Sequence, residues 1–170
     1  MNIKEFFQHR AGAWSSQRTS HNPFIQKSES SNSVIQIALA EATDPQITAL
    51  CQQYNFIAEQ VFCAAKINWD RPIDRTKGSS ILVAIADRDD VQQGKLLSQH
   101  SGEKSPVLGR YTMEKDDVLR LVNEHDGLFA EEKLWFPRPN ICMRTSVTIG
   151  TSKVSSFCTE IRKAEPAKSP

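Results

Sequence analysis

Residues 14–21 read WSSQRTSH, a run with the reach of a β-strand but with only one large apolar side chain, Trp14, and a bare guanidinium, Arg18, in its middle. Side chains alternate between the two faces of a strand. Trp14, Ser16, Arg18 and Ser20 therefore share one side, and Ser15, Gln17, Thr19 and His21 the other. Neither set can line an ordinary oily core. The pattern returns twice near the end of the chain. Around CMRTS, Cys142, Arg144 and Ser146 oppose Ile141, Met143, Thr145 and Val147; in SFCTEIR, Ser156, Cys158, Glu160 and Arg162 oppose Phe157 and Ile161. Two readings fit. Antiparallel sheets commonly keep one face wet, and mid-strand arginines are often merely solvated. Ser and Cys, however, suit an exposed strand poorly, and small residues beside arginine leave room for something to enter. A half-polar cavity with guanidinium groups aimed at an acidic ligand accounts for both features. The residue pattern alone leaves both readings open.

Short strands also dominate outside these segments. Ile35, Ile37 and Leu39 alternate with Gln36 and Ala38, as do Val61, Cys63, Ala65, Ile67 and Trp69 with Phe62, Ala64, Lys66 and Asn68. SILVAIA, residues 80–86, is apolar on both faces, as in a strand covered on both sides. Further strands are expected at 94–99, 106–113, 117–124, 128–136, 140–149 and 153–162, with Asp126-Gly127 as a hairpin turn, making about ten with 13–22. Two helices are signed. Asn2 caps the first, with Glu5 at the third position and Ile3, Phe6, Phe7 and Arg10 at helical spacing until Gly12. Asp44 caps the second, between the second and third strands, with Pro45 first and Ile47, Leu50, Cys51 and Tyr54 as its apolar stripe. The expected fold is mainly β: a ten-stranded antiparallel up-and-down barrel with an N-terminal helix, enclosing a cavity for one small ligand. One domain over residues 1–163 suits a chain of 170 residues, and 164–170 are expected to be disordered.

Lys and Arg number 21 against 20 acidic residues, without a basic stripe, which argues against nucleic-acid binding. MNIKEFFQHR is too charged for a secretory signal, and no apolar window is long enough to cross a membrane. A soluble, intracellular protein is expected. Cys51, Cys63, Cys142 and Cys158 lack CxxC spacing and read as reduced, mostly buried thiols. His9, His21, His100 and His125 are dispersed, so no metal site is expected. There is no GxSxG and no Gly-rich phosphate loop, and the acid pairs Glu131-Glu132 and Asp116-Asp117 straddle opposite strand faces.

Eight ordered blocks, MNIKEFF, AWSSQRTSH, DPQITALCQQYN, KINWD, SSILVAIAD, VLGRYTMEKD, EEKLWFPRPNICMRTSV and SFCTEIRKA, give the chain a resemblance to the S-type (CpcS/CpeS) phycobiliprotein lyases over residues 1–163. The resemblance implies a barrel of the lipocalin or fatty-acid-binding kind with a helix at its mouth. It implies a bilin, phycocyanobilin or phycoerythrobilin, as bound substrate rather than prosthetic group. It also implies an apo-phycobiliprotein subunit, of phycocyanin or phycoerythrin type, whose cysteine receives that bilin. The setting would be the cytoplasm of a cyanobacterium-like cell or a plastid stroma, with a homodimer as a further expectation. On that basis Arg18 and Arg144 suit the bilin propionates, Glu132 and Glu160 face the pyrrole nitrogens, and Trp69, Trp135, Met143 and Phe157 are available as walls. Glu132 and Arg144 are the catalytic candidates, while Ser146 and Cys158 join the ligand-contacting set. For Trp69 a core role weighs as much as stacking on the bilin; for Trp14, Met143 and Phe157 core packing weighs more. In that family a second histidine often follows the position of His21; here Asn22 stands there, and segment 88–105 is longer than a hairpin needs. A barrel that stores a bilin or a fatty-acid-like ligand without attaching it is the competing reading.

Overall fold

The computed structural model describes residues 1–164. The tail from residue 165, expected to be disordered, lies outside the described residues. α1 (Ile3–Arg10) begins with the expected capping box: the Asn2 side chain accepts the Glu5 backbone N–H at 3.0 Å, and the Glu5 carboxylate accepts the Asn2 N–H at 2.8 Å. The helix ends at Ala11, and Gly12 follows at φ +118°, a conformation open to glycine and hardly to other residues.

From Gly12 the chain runs up and down as β1 (Gly12–Asn22), β2 (Lys27–Ala40), then α2 (Pro45–Gln52), β3 (Cys63–Arg71), β4 (Thr76–Asp87), β5 (Asp90–His100), β6 (Val107–Met113), β7 (Leu119–His125), β8 (Leu128–Arg138), β9 (Ile141–Ile149) and β10 (Lys153–Arg162). Every neighbouring pair is antiparallel, and β1 pairs with β10, so the ten strands close into a barrel. Closure removes the edges that an open sheet would expose. Asp126 and Gly127 both take positive φ, 49° and 75°, in the tight β7–β8 turn read from the sequence.

Three strands are longer than their hydrophobic pattern suggests. β2 was expected at 35–39 and begins at Lys27, because β1 and β2 pair well beyond the point where β3 joins at Val34. The first four residues, Lys27–Ser30, are exposed throughout and carry no alternation to detect, whereas Ser31 and Ser33 turn toward the cavity. The same holds at the start of β4 and at Asp90–Gln93 of β5, all exposed, which turns most of the polar segment 88–105 into strand rather than loop. Conversely, residues 115–117, given partly to a strand, form a 3-10 turn, with Asp116 and Asp117 at positive φ.

α2 lies outside the barrel, where Ile47, Leu50 and Cys51 cover Ala64, Val83, Ile85 and Leu97. That explains the doubly apolar run 80–86: Val83 and Ile85 meet α2, while Leu82 and Ala84 point inward. α1 plugs one end of the barrel instead, burying Ile3, Phe6 and Phe7 against Trp14, Ile35, Ile37, Leu119 and Leu134. Each such side chain contributes about 1.5–3 kcal/mol of transfer free energy. The plug is also tied at its C-terminus. The Arg162 guanidinium donates to the carbonyls of Ala11, at 2.7 Å, and of His9, capping helix carbonyls that otherwise lack partners. It lies 4.3 Å from the Trp14 ring centre, and the Trp14 indole N–H donates to the Arg10 carbonyl at 2.8 Å. No helix of the described residues is long and apolar enough to cross a membrane.

Gly12→Ala forces a Cβ into the left-handed region and to within 3.1 Å of Arg162. We expect a loss of about 1–3 kcal/mol in urea unfolding at an unchanged m-value.

Candidate functional site

With α1 sealing one end, the interior holds a cavity of about 900 Å³ whose floor is Phe6, Phe7 and Arg10 and whose rim includes Arg71, Lys104, His125 and Asp126. It is within the size range of pockets that enclose a small organic ligand. The walls differ in kind. From β2 to β7 they carry most of the aliphatic residues, Ile35, Ile37, Ile67, Leu82, Leu96 and Leu121, interspersed with Ser33, Ser80, Ser98 and Asn123. The side formed by β8, β9, β10 and β1 is polar, because the inward residues there make up the small and charged faces of the opening stretch and its two echoes, Ser16, Arg18 and Arg144 among them.

Strand register sets that polar side out in rows. Arg18 pairs with Cys158, Cys158 with Arg144 and Arg144 with Leu134; nearer the plug, Ser16 pairs with Glu160 and Glu160 with Cys142; nearer the rim, Ser20, Ser156, Ser146 and Glu132 follow one another. Arg18, Glu132 and Arg144 line the cavity. Cys158 and Glu160 are 2% and 0% exposed and lie behind this lining. The Cys158 thiol and Ser16 hydroxyl are 3.2 Å apart, and the Ser146 and Ser156 hydroxyls 2.5 Å. Trp69 lines the cavity too, its indole lying across Gly78 of β4, where any Cβ would fall inside the ring.

Trp135 and Met143 are not in the lining. The alternation that turns Glu132, Leu134 and Arg144 inward turns these two outward, where they face each other across β8 and β9. Phe157 likewise points outward and is 43% exposed. Their apolar character suggested walls, but their strand parity decides otherwise. The aliphatic wall comes instead from the other side of the barrel. Arg10 is a charged lining residue that is absent from the candidates read from the sequence, as are Ser16 and Arg71. It is helical, so no strand alternation flags it; its position on the apolar face with Phe6 and Phe7 was the available signal.

Charge in the cavity is largely paired. Arg144 Nη2 donates to Glu132 Oε1 at 2.8 Å, Arg10 Nη1 stands 2.5 Å from Glu160 Oε2 and 2.8 Å from Cys142 Sγ, and Arg144 Nη1 stands 4.0 Å from Glu160 Oε1. Although Glu160 is flanked by cations, neither of its oxygens has an aligned hydrogen-bond donor, and Arg144 Nε–H is also unpartnered. Burial works against the charged form of both arginines. For Arg10 the facing Glu160 outweighs it, and for Arg144 Glu132 and then Glu160 do, so both pKa values end above the ordinary arginine value. Among the described residues Arg18 makes no ion pair. Burial pushes the Cys142 thiol up to about 11 and Cys63 up to about 12. No group of three or more His, Cys, Asp or Glu among the described residues is placed to hold a metal ion.

The model of the family described as "CpeS-like protein" matches residues 2–163. A curated relative, "Chromophore lyase CpcS/CpeS" of Thermosynechococcus vestitus, is 40% identical, covering 99% of this chain and 98% of its own. The "Phycocyanobilin lyase subunit CpcS" of Picosynechococcus is 34% identical over 94% of this chain and 85% of its own. Among solved structures, the S-type phycobiliprotein lyase CPES from Guillardia theta superposes with a TM-score of 0.85 at 31% identity, covering 98% of this chain and 95% of that one.

The raised thiol pKa values have a measurable consequence. Between pH 9 and about 11 the folded chain keeps the Cys142 proton while the unfolded chain, at the ordinary thiol value of 9.0, gives it up. The stabilisation is therefore complete below pH 9 and lost as pH climbs through about 11. We expect the urea midpoint to fall over this window, and to fall less in Cys142→Ala, whatever the absolute stability of that variant.

Proposed function

The chain belongs to the CpcS/CpeS chromophore lyase family and is a phycobiliprotein chromophore lyase; we propose that it seats phycocyanobilin or phycoerythrobilin along the polar wall and presents it at the open rim to a cysteine of an apo-phycobiliprotein. The observation that carries this reading is an enclosed cavity with one apolar wall and one charged wall, in which Arg18 has no ion-pair partner. A bilin is a conjugated, mostly apolar strip with two propionates on one edge, and such a cavity fits both halves of it.

Arg18 takes one propionate without releasing another partner, and Arg144 takes the second with the part of its guanidinium that lines the cavity. Trp69, with the aliphatic wall, flattens the ring system. Glu132, on the same polar wall, faces pyrrole N–H groups and favours the protonated chromophore. In the reaction the acceptor thiolate adds to the ethylidene carbon of ring A. The electrons of that double bond move into the ring, which takes up one proton, and no group leaves. The lyase acts by holding the bilin extended with ring A at the rim, which replaces an unselective encounter by an oriented one. Glu132, ionised beside Arg144, serves as a relay that passes this proton to the ring. The relevant compartment is the one where phycobiliproteins assemble, the cyanobacterial cytoplasm or the plastid stroma.

The direct test mixes the purified chain with phycocyanobilin or phycoerythrobilin and then with apo-subunits. The lyase reading expects an altered bilin spectrum on mixing and a coloured acceptor band that survives denaturing electrophoresis. A spectral change with no coloured acceptor would identify a carrier. Arg18→Leu should weaken bilin binding by about 1.5–3 kcal/mol, roughly tenfold to a hundredfold in Kd, as read by absorption titration. Glu132→Gln should keep the bilin but slow its transfer in single-turnover measurements; an unchanged rate removes Glu132 as proton donor.

A further inference from the structure

Arg144 stands between two carboxylates. It donates to Glu132 Oε1 at 2.8 Å, while its other terminal nitrogen is 4.0 Å from Glu160 Oε1. Glu160 is the stronger attractor, because it has no exposed surface at all and none of its oxygens receives an aligned hydrogen bond. A buried carboxylate in that condition recruits whatever cation can reach it. What occupies it is Arg10, 5% exposed, 2.5 Å away and reaching in from α1. The groups around Glu160 are Arg10 from the helix, Arg144 and Cys142 from β9, and Ser16 and Cys158 from the β1–β10 seam. Only the two arginines carry a positive charge.

Arg10 is not alone in holding the helix: Ile3, Phe6 and Phe7 bury its apolar face, and Arg162 binds its last carbonyls. Its charge has a further use. We propose that Arg10 is a positioning residue for bilin capture: by carrying the countercharge of Glu160, it leaves Arg144 committed to Glu132 and available to the ligand. The four groups Arg10, Arg144, Glu132 and Glu160 sum to zero charge, and removing Arg10 leaves one cation for two carboxylates. Arg144 then turns to the more deeply buried one. The consequence for bilin rests on the function proposed above; the consequence for Arg144 does not.

The test is a cycle of Arg10→Gln, Glu160→Gln and the double variant, with Arg10→Lys as the charge-conserving control. In a crystal structure of Arg10→Gln the Arg144 guanidinium should lie against Glu160 and no longer within hydrogen-bond distance of Glu132. Its Kd for phycocyanobilin should rise roughly tenfold, the loss of one charge-assisted contact. The double variant has no carboxylate competing for Arg144, so the Arg144–Glu132 pair and most of the affinity should return, and Arg10→Lys should bind like the parent. A merely structural role for Arg10 expects the double variant to be no better than the single. The proposal is overturned if Arg144 stays on Glu132 in Arg10→Gln, or if removing Glu160 restores neither the pair nor the affinity. Should Arg10→Gln not fold, the double variant, which buries neither charge, must fold with the Arg144–Glu132 pair intact; its failure overturns the proposal as well. Absence of phycocyanobilin binding by the parent chain would defeat the proposed function while leaving the crystallographic outcome to decide the inference.

Discussion

A carboxylate sealed from solvent is the constraint on which much else in this barrel depends. Desolvating an ion costs several kcal/mol, recovered only through well-placed opposite charge. Glu160 meets that demand with Arg10 from the first helix and Arg144 from the preceding strand. The first and last elements of the chain are thereby joined at one point, beside the β1–β10 seam that closes the sheet. Two residues further along the same face of β10, Arg162 caps the helix carbonyls. The inner face of β10 near the plug thus serves to hold α1, and α1 supplies the floor of the cavity. Plug, seam and binding wall form one cooperative unit.

The contiguity of the polar wall follows from closure. β1 lies at one end of the sequence and β8 to β10 at the other, so their polar faces are separated by about a hundred residues of chain. Pairing of β1 with β10 turns them into a single panel, while β2 to β7 carry most of the aliphatic lining. The partition of the walls is one of degree, with serines and Asn123 among the aliphatic residues of β2 to β7. It biases how an amphipathic strip lies, and the charged groups of the other panel add to that bias.

Much of this was legible in the sequence, for a definite reason. Period-two alternation in WSSQRTSH, CMRTS and SFCTEIR determines which side chains share a face, and closure then makes that face interior; Arg18, Glu132 and Arg144 reach the cavity by parity. Trp135 and Met143 break from expectation because apolar character was given more weight than parity, although both lie one residue from an inward-facing neighbour. The extra length of β2 and β5 left no trace, since strand ends exposed throughout, Lys27–Ser30 and Asp90–Gln93, have no periodicity. Arg10 was hidden differently: a helical arginine beside two phenylalanines reads as an interfacial residue until the strand opposite is known to carry a buried glutamate.

A protein that handles a thiol-seeking chromophore also has to avoid reacting with it. The thiolate is the nucleophilic form, and the chain places three of its own cysteines, Cys51, Cys63 and Cys142, where that form is disfavoured. Burial raises Cys142 to about 11 and Cys63 to about 12, while Cys51 is raised by the same cause beneath α2. Cys158 lies behind the cavity lining with its sulfur against the Ser16 hydroxyl. Even the guanidinium 2.8 Å from Cys142 does not reverse the effect, because burial is the larger influence there. A polar wall rich in cysteine is thus compatible with an electrophilic guest: the thiols provide small, closely packed neighbours for the arginines, and the reactive sulfur is left to be brought by the acceptor at the rim.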